Sequence, residues 1–267
     1  MFILLILLGI VAGVTAGFFG VGGGLIFSPI LYFLFTGFGV ESPVSWTVGT
    51  ALFCTFTAAV SSSIQQRSER NFYWKEGIML GVFGAFGVYF GKTIVTSPYY
   101  TEDVFVSLFV MMLVFVAILF YRKSQSTVTL QVQPGKLTAF KMIIAGFLGG
   151  LVASLAGVGG GIVLVPVMNL LYRIPIGKTV SMSSLAIVLI SFSGWMQYAF
   201  FTDGLAGITD YTIGFVDFGT SLPLIMGAFA GGILGVKLNQ NVKGSKVQLG
   251  FSIMVIIIAI SMIWSLF

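Results

Sequence analysis

Gly20-Val21-Gly22-Gly23-Gly24-Leu25-Ile26-Phe27-Ser28-Pro29 returns as Gly157-Val158-Gly159-Gly160-Gly161-Ile162-Val163-Leu164-Val165-Pro166, with the same glycine spacing and the same downstream proline. Each copy cuts an apolar stretch where a helix would otherwise run on. Unpaired backbone is costly in a hydrocarbon environment, so such a break is tolerated where it is buried in protein or lines a cavity. One such element reads as close helix packing. Two copies at corresponding places of two related halves point instead to the binding site of a secondary transporter.

A membrane setting follows from the rest of the chain. Of its 267 residues 57% are hydrophobic and only 8% charged, with a mean hydropathy of +1.07. A soluble surface needs roughly a quarter of its positions charged. The formal net charge of +5 sits in short loops between apolar runs, where basic residues set orientation, so nucleic-acid binding is not expected. With one cysteine, Cys54, and no histidine, disulfide frameworks and nearly all transition-metal sites fall away, and no cofactor is expected. The first segment superficially resembles a signal peptide. It has no basic n-region and runs straight into the first glycine element, so it is expected to stay in the mature protein.

Ten apolar runs can be read: Phe2 to Phe19, Leu25 to Phe35, Val44 to Ile64, Gly77 to Val95, Val104 to Tyr121, Phe140 to Ala156, Ile162 to Tyr172, Val180 to Phe201, Ile213 to Val236 and Val247 to Phe267. The expected fold is an all-α polytopic membrane protein, an inverted repeat of two five-segment halves with glycine-broken helices. Residues 1–121 form the first repeat, 122–138 a cytoplasmic linker and 139–267 the second repeat. The runs after each glycine element are about half the roughly 20 residues a span needs. Whether those arms cross or re-enter, each half crosses an odd number of times, so the second half inserts upside down. Twelve of the thirteen basic residues then share one side; only Lys92 lies opposite. By the positive-inside rule that side is cytoplasmic, which leaves both termini outside a cytoplasmic membrane.

Consecutive glycines let successive N–H groups converge into an anion-binding nest, and a helix starting there adds its positive end. Gly22, Gly23 and Gly24, with Gly159, Gly160 and Gly161, are therefore the first candidates for substrate contact. The third run of each half is rich in hydroxyls, which can donate to an anion without the cost of a buried fixed charge. Aligning Leu52 with Leu185 makes Thr50 and Ser183 equivalent, and Ser184, Asn169 and Gln197 are further candidates. Most Ser and Thr side chains in such helices bond their own helix's carbonyls or bridge to a neighbour. Glycines four apart elsewhere, such as Gly87 and Gly91 or Gly146 and Gly150, read as helix contacts. Gly87-Val88-Tyr89-Phe90-Gly91-Lys92-Thr93 is one residue short of a Walker A loop, and the glycine elements lack the third glycine of a dinucleotide fingerprint. No ionisable residue falls at the centre of a run, which disfavours a proton relay; Glu76 and Asp217 lie near run ends. Anion efflux needs no relay, because about 2.3 kcal/mol per charge per 100 mV already favours it when the cytoplasm is negative.

Together with Val48-Gly49-Thr50-Ala51-Leu52 and Ser183-Ser184-Leu185-Ala186, the two glycine-proline elements give the sequence a resemblance to the TauE/SafE sulfite-exporter family, also called the toluene sulfonate uptake permeases. The resemblance spans essentially the whole chain. It implies transport of a small sulfur-containing anion such as sulfite, sulfoacetate or another sulfonate. The reading is thus an exporter working by alternating access in the lipid bilayer, with the anion between the two glycine-rich half-helix N-termini and a homodimer compatible with the GxxxG surfaces. An anion channel-like pore and a non-transporting membrane scaffold are the alternatives. A membrane-embedded enzyme finds no convincing set of reactive groups.

Overall fold

The computed structural model describes residues 2–19, 24–67, 73–125, 137–174, 176–201, 207–239 and 244–264. Among these the chain forms ten α-helices: α1 (Phe2–Phe19), α2 (Gly24–Gly37), α3 (Pro43–Arg67), α4 (Trp74–Val95), α5 (Glu102–Gln125), α6 (Ala139–Ala156), α7 (Gly161–Pro166), α8 (Ile176–Phe200), α9 (Phe218–Asn239) and α10 (Gly244–Trp264). Six segments are long and apolar enough to cross a membrane, within α3, α4, α5, α6, α8 and α9. Phe2–Thr15, Gly24–Gly37 and Leu249–Trp264 are shorter apolar stretches. Met111, Phe140, Phe86 and Ile257 are exposed on the outside of the bundle, as expected of side chains that meet lipid. The protein is a multi-pass membrane protein.

The second glycine element shows how the sequence makes its break. Gly157 ends α6 in the left-handed region at φ +73, its N–H donating to the Ala153 carbonyl. Gly159 and Gly160 follow at φ +68 and +82, conformations that cost an L-residue with a Cβ about 1–2 kcal/mol each. Gly160 then caps α7, its carbonyl accepting from Val163 and Leu164. Pro166 removes a donor from the ladder, and α7 runs on as a π-helical turn over Val167–Leu171. Gly20 to Gly23 of the first element lie outside the described residues; α2 starts at Gly24 and carries Pro29.

Helix pairing crosses between the halves. Helix α1 packs on α9, α6 on α4, α3 on α8 and α5 on α10. Exchanging each helix for its counterpart in the other half maps these pairs onto one another. Glycines form the first two seams. Added methyls at Gly9 and Gly13 of α1 would strike the backbones of Leu224 and Ala228 on α9, and those at Gly146 and Gly150 of α6 would strike Leu80 and Gly84 on α4. Both pairs therefore run parallel. Helices α3 and α8 run antiparallel: Gly49 lies beside Tyr198, Leu52 against Gly194, and Phe56 against Phe192.

One boundary differs from the sequence expectation. The ninth run was expected from Ile213, but Thr212–Ile213 and Val216–Asp217 pair as a two-stranded antiparallel ribbon, and α9 begins only at Phe218. Gly214, at φ +54, turns the chain back. Phe215 then donates its N–H to the Tyr198 carbonyl and packs edge-on against Trp46, the ring centroids 5.4 Å apart. Apolar residues there serve the packing of a loop, not the continuation of a helix.

Candidate functional site

Residues Gly157 to Gly160 of the turn are buried where α2, α3 and α8 meet, and Gly161 is half-buried. A methyl at Gly24 would lie 2.9 Å from the Val158 carbonyl oxygen, so the start of α2 touches the second glycine turn directly. Three hydroxyls from three helices surround this contact. Ser28 Oγ of α2 would lie 2.8 Å from a methyl on Gly157, Thr55 Oγ1 of α3 2.8 Å from one on Gly24, and Ser191 Oγ of α8 2.8 Å from one on Gly159. Only glycine fits at these positions without displacing the hydroxyls. Ser28, Thr55 and Ser191 are at most 3% exposed.

Their hydrogen bonding separates them. Ser28 donates to the Gly24 carbonyl at 3.3 Å. Thr55 Oγ1 and Ser191 Oγ, both buried, have no hydrogen-bond partner among the described residues. A buried hydroxyl without a partner costs about 1–3 kcal/mol. Two such groups stand beside one glycine turn. The arrangement can offer neutral donors to an anion's oxygens; among the described residues no group of three or more His, Cys, Asp or Glu could hold a metal.

The residues expected from sequence distribute as follows. Gly22 and Gly23 lie outside the described residues. Gly24, Gly159, Gly160 and Gly161 come together at the turn, with Gly161 against Ile187 of α8. Thr50 is buried, and its Oγ1 accepts the Asp217 N–H at 3.1 Å. Ser183 and Ser184 donate to the carbonyls of Val180 and Ser181 on their own helix. Asn169 donates to the Ile174 carbonyl at 2.8 Å, closing the end of the π-helical turn, and Gln197 donates to Ser193 Oγ at 2.8 Å. Thr55 and Ser191 were visible only as members of two hydroxyl-rich runs. A sharper signal was available in the spacing of Thr47, Ala51 and Thr55, which puts them on one face of α3; Ala51 of that face packs on Gly157.

The Thr50 bond has a counterpart. Tyr73 N–H, at the entry to α4, donates to Ser181 Oγ of α8 at 3.4 Å, as Asp217 N–H at the entry to α9 donates to Thr50 of α3. The shift that relates Tyr73 to Asp217 also relates Gly84 to Ala228 in the glycine seams. By these bonds Thr50 corresponds to Ser181, one half-turn earlier than the alignment of Leu52 with Leu185 would place it. Asp217 itself is fully buried, its carboxylate accepting from the N–H and hydroxyl groups of Thr209 and Thr220. It caps α9 and anchors the ribbon.

Eight helices paired between the two halves, with uncommitted donors beside a buried glycine turn, give the frame of a polytopic membrane protein of the transporter class. The family described as Sulfite exporter TauE/SafE has a model that matches residues 5–262, and the chain belongs to that family. It is 30% identical over 249 residues to a "probable membrane transporter protein" of Methanocaldococcus jannaschii, covering 93% of this chain and 90% of the relative. It is likewise 30% identical to one of Haemophilus influenzae, with 98% of each chain covered, and 24% identical to YunE of Bacillus subtilis, covering 98% and 97%. No solved structure matches the chain. The protein is a membrane transporter and not an enzyme.

Proposed function

We propose that the protein exports a small sulfur-containing anion, sulfite or a sulfonate, by alternating access, holding it at the contact between the two glycine elements. The carrying observation is the pair of uncommitted buried hydroxyls, Thr55 Oγ1 and Ser191 Oγ, on side chains that both approach the turn at Gly159. Backbone amides of Gly159 to Gly161 complete the donor set, with Gly24 at the start of α2 beside the turn; Gly22 and Gly23 lie outside the described residues. Thr50, Ser183, Ser184, Asn169 and Gln197 support the surrounding helices through the bonds described above. The antiparallel crossing of α3 and α8 and the exchange of helix pairs between halves support an inverted repeat, the architecture on which one half can rock against the other. The family name supports the sulfur anion.

Purified protein in liposomes tests this reading. Saturable flux with counterflow is expected for at least one of sulfite, sulfoacetate, taurine and thiosulfate; no binding or flux for any of them removes the anion site. Flux that neither saturates nor shows counterflow gives a pore in place of a carrier. Gly160→Val forces a branched side chain onto φ +82 and to within 2.7 Å of the Gly149 carbonyl oxygen. It is expected to abolish transport while insertion persists, and unchanged transport would reduce the turn to packing.

A further inference from the structure

We infer that Tyr100 and Tyr198 are positioning residues for the anion site proposed above, on which this role rests: their hydroxyls occupy the last carbonyls of α6 and so keep the glycine turn open to an anion. Tyr100, between α4 and α5, donates to the Leu155 carbonyl at 2.9 Å. Tyr198 of α8 donates to the Ser154 carbonyl at 3.2 Å, with Ser154 Oγ 3.4 Å away. Both rings are buried. The parallel packing of α4 on α6 brings their C-terminal ends together, with Gly91 close against Ser154, so the chain leaving α4 passes the end of α6. Tyr198 lies seven residues from Ser191, about 10 Å along α8, and acts on the turn through α6.

The last turn of a helix leaves carbonyls without intrahelical donors and carries the negative end of the helix dipole. Helix α6 ends directly at the proposed anion site. Gly157 N–H takes only the Ala153 carbonyl, the single bond of a left-handed cap. Next in line are the carbonyls of Ser154 and Leu155, five and four residues before Gly159. Among the described residues the N–H groups of Val158, Gly159 and Gly160 have no hydrogen-bond partner. Left unpaired, the two carbonyls would draw these amides back to close the helix, as the residues after a helix commonly do. They would also set negative partial charge beside the anion. Lys92, which follows Gly91, is committed to α8, where its Nζ donates to the Phe201 carbonyl at 2.6 Å. The tyrosines therefore serve α6: with its carbonyls satisfied by hydroxyls, the amides of the turn stay available to a ligand.

Tyr100→Phe and Tyr198→Phe keep each ring and remove its hydroxyl. Full-length variants in liposomes are compared with the wild type for saturable flux of sulfite, sulfoacetate, taurine and thiosulfate. For each anion that the wild type carries, KM should rise about fivefold in each variant, with little change in maximal rate per folded transporter. Tyr32→Phe is the control. Tyr32 donates to Glu102 at 3.1 Å between α2 and α5, so this variant loses a tyrosine bond away from the turn and should keep its KM. Where only one of the two test variants folds, it decides. An unchanged KM in a test variant that folds, whatever its maximal rate or unfolding midpoint, makes that tyrosine a structural residue and overturns the paired role while leaving the anion site standing. Failure of both to fold, or an equal rise of KM in Tyr32→Phe, overturns it likewise. A wild type that carries none of the four anions removes the site and the positioning role together.

Discussion

At the residue scale the buried hydroxyls divide into those that hold the protein together and those that do not. Thr50 accepts the Asp217 N–H; Thr55 and Ser191 serve no such bond. Thr50→Val therefore strands a buried donor and is expected to destabilise the protein by about 1–3 kcal/mol. Ser191→Ala and Thr55→Val remove groups without partners, so stability should hold or rise slightly, while affinity for the transported anion falls about fivefold to tenfold for each lost bond. Thermal unfolding in detergent beside ligand titration separates the two classes. A loss of stability without loss of affinity at Ser191 would make it a packing residue. The sequence could place all of these groups in hydroxyl-rich helices. It could not sort them, because a hydroxyl's role depends on what faces it across the bundle, and Asp217 is 167 positions from Thr50 in the chain.

At the element scale glycine spacing was legible and glycine partnership was not. Positions four apart announce a helix contact on one face, which is why the seams at Gly146 and Gly150 could be expected. That these seams join helices of different halves follows only from the three-dimensional pairing. The same gap explains the misplaced start of α9. Apolar character over Ile213 to Val216 reads as helix until Gly214 is seen to turn the chain and Phe215 to fill a space beside Trp46. The seams also set a ranking of substitutions. Gly150→Ala puts a methyl into the backbone of Gly84, which has no side chain to move aside; separating two helices costs about 2 kcal/mol or more. Gly194→Ala meets the far end of Leu52, with Cδ1 at 2.7 Å and the next atoms at 3.5 Å. Leu52 can shift, and alanine gains about 1 kcal/mol of helix propensity. Unfolding midpoints should fall clearly for the first and change little for the second; the reverse order would mean that the α4–α6 seam is loose.

At the scale of the whole molecule the expected orientation rests on charge, and one apparent exception has a structural account. Lys92, the single basic residue expected on the outer side, is 9% exposed and donates to the Phe201 carbonyl at 2.6 Å. It closes the C-terminal end of α8, where a positive charge is favoured by the helix dipole, and so is not a loop residue whose side the insertion machinery must choose. The remaining twelve are all expected on one side. Because Cys54 is fully buried in α3, the native chain offers a quiet background for labelling with a membrane-impermeant maleimide. Tyr99, 88% exposed in the turn after α4, and Lys75, exposed in the first turn of α4, bracket one crossing of the bilayer. In intact cells Tyr99→Cys should react from outside and Lys75→Cys only after permeabilisation. The opposite pattern would invert the molecule and put both termini in the cytoplasm. Labelling of both from one side would mean that α4 does not cross, and an odd number of crossings per half, with the upside-down second repeat that depends on it, could not stand.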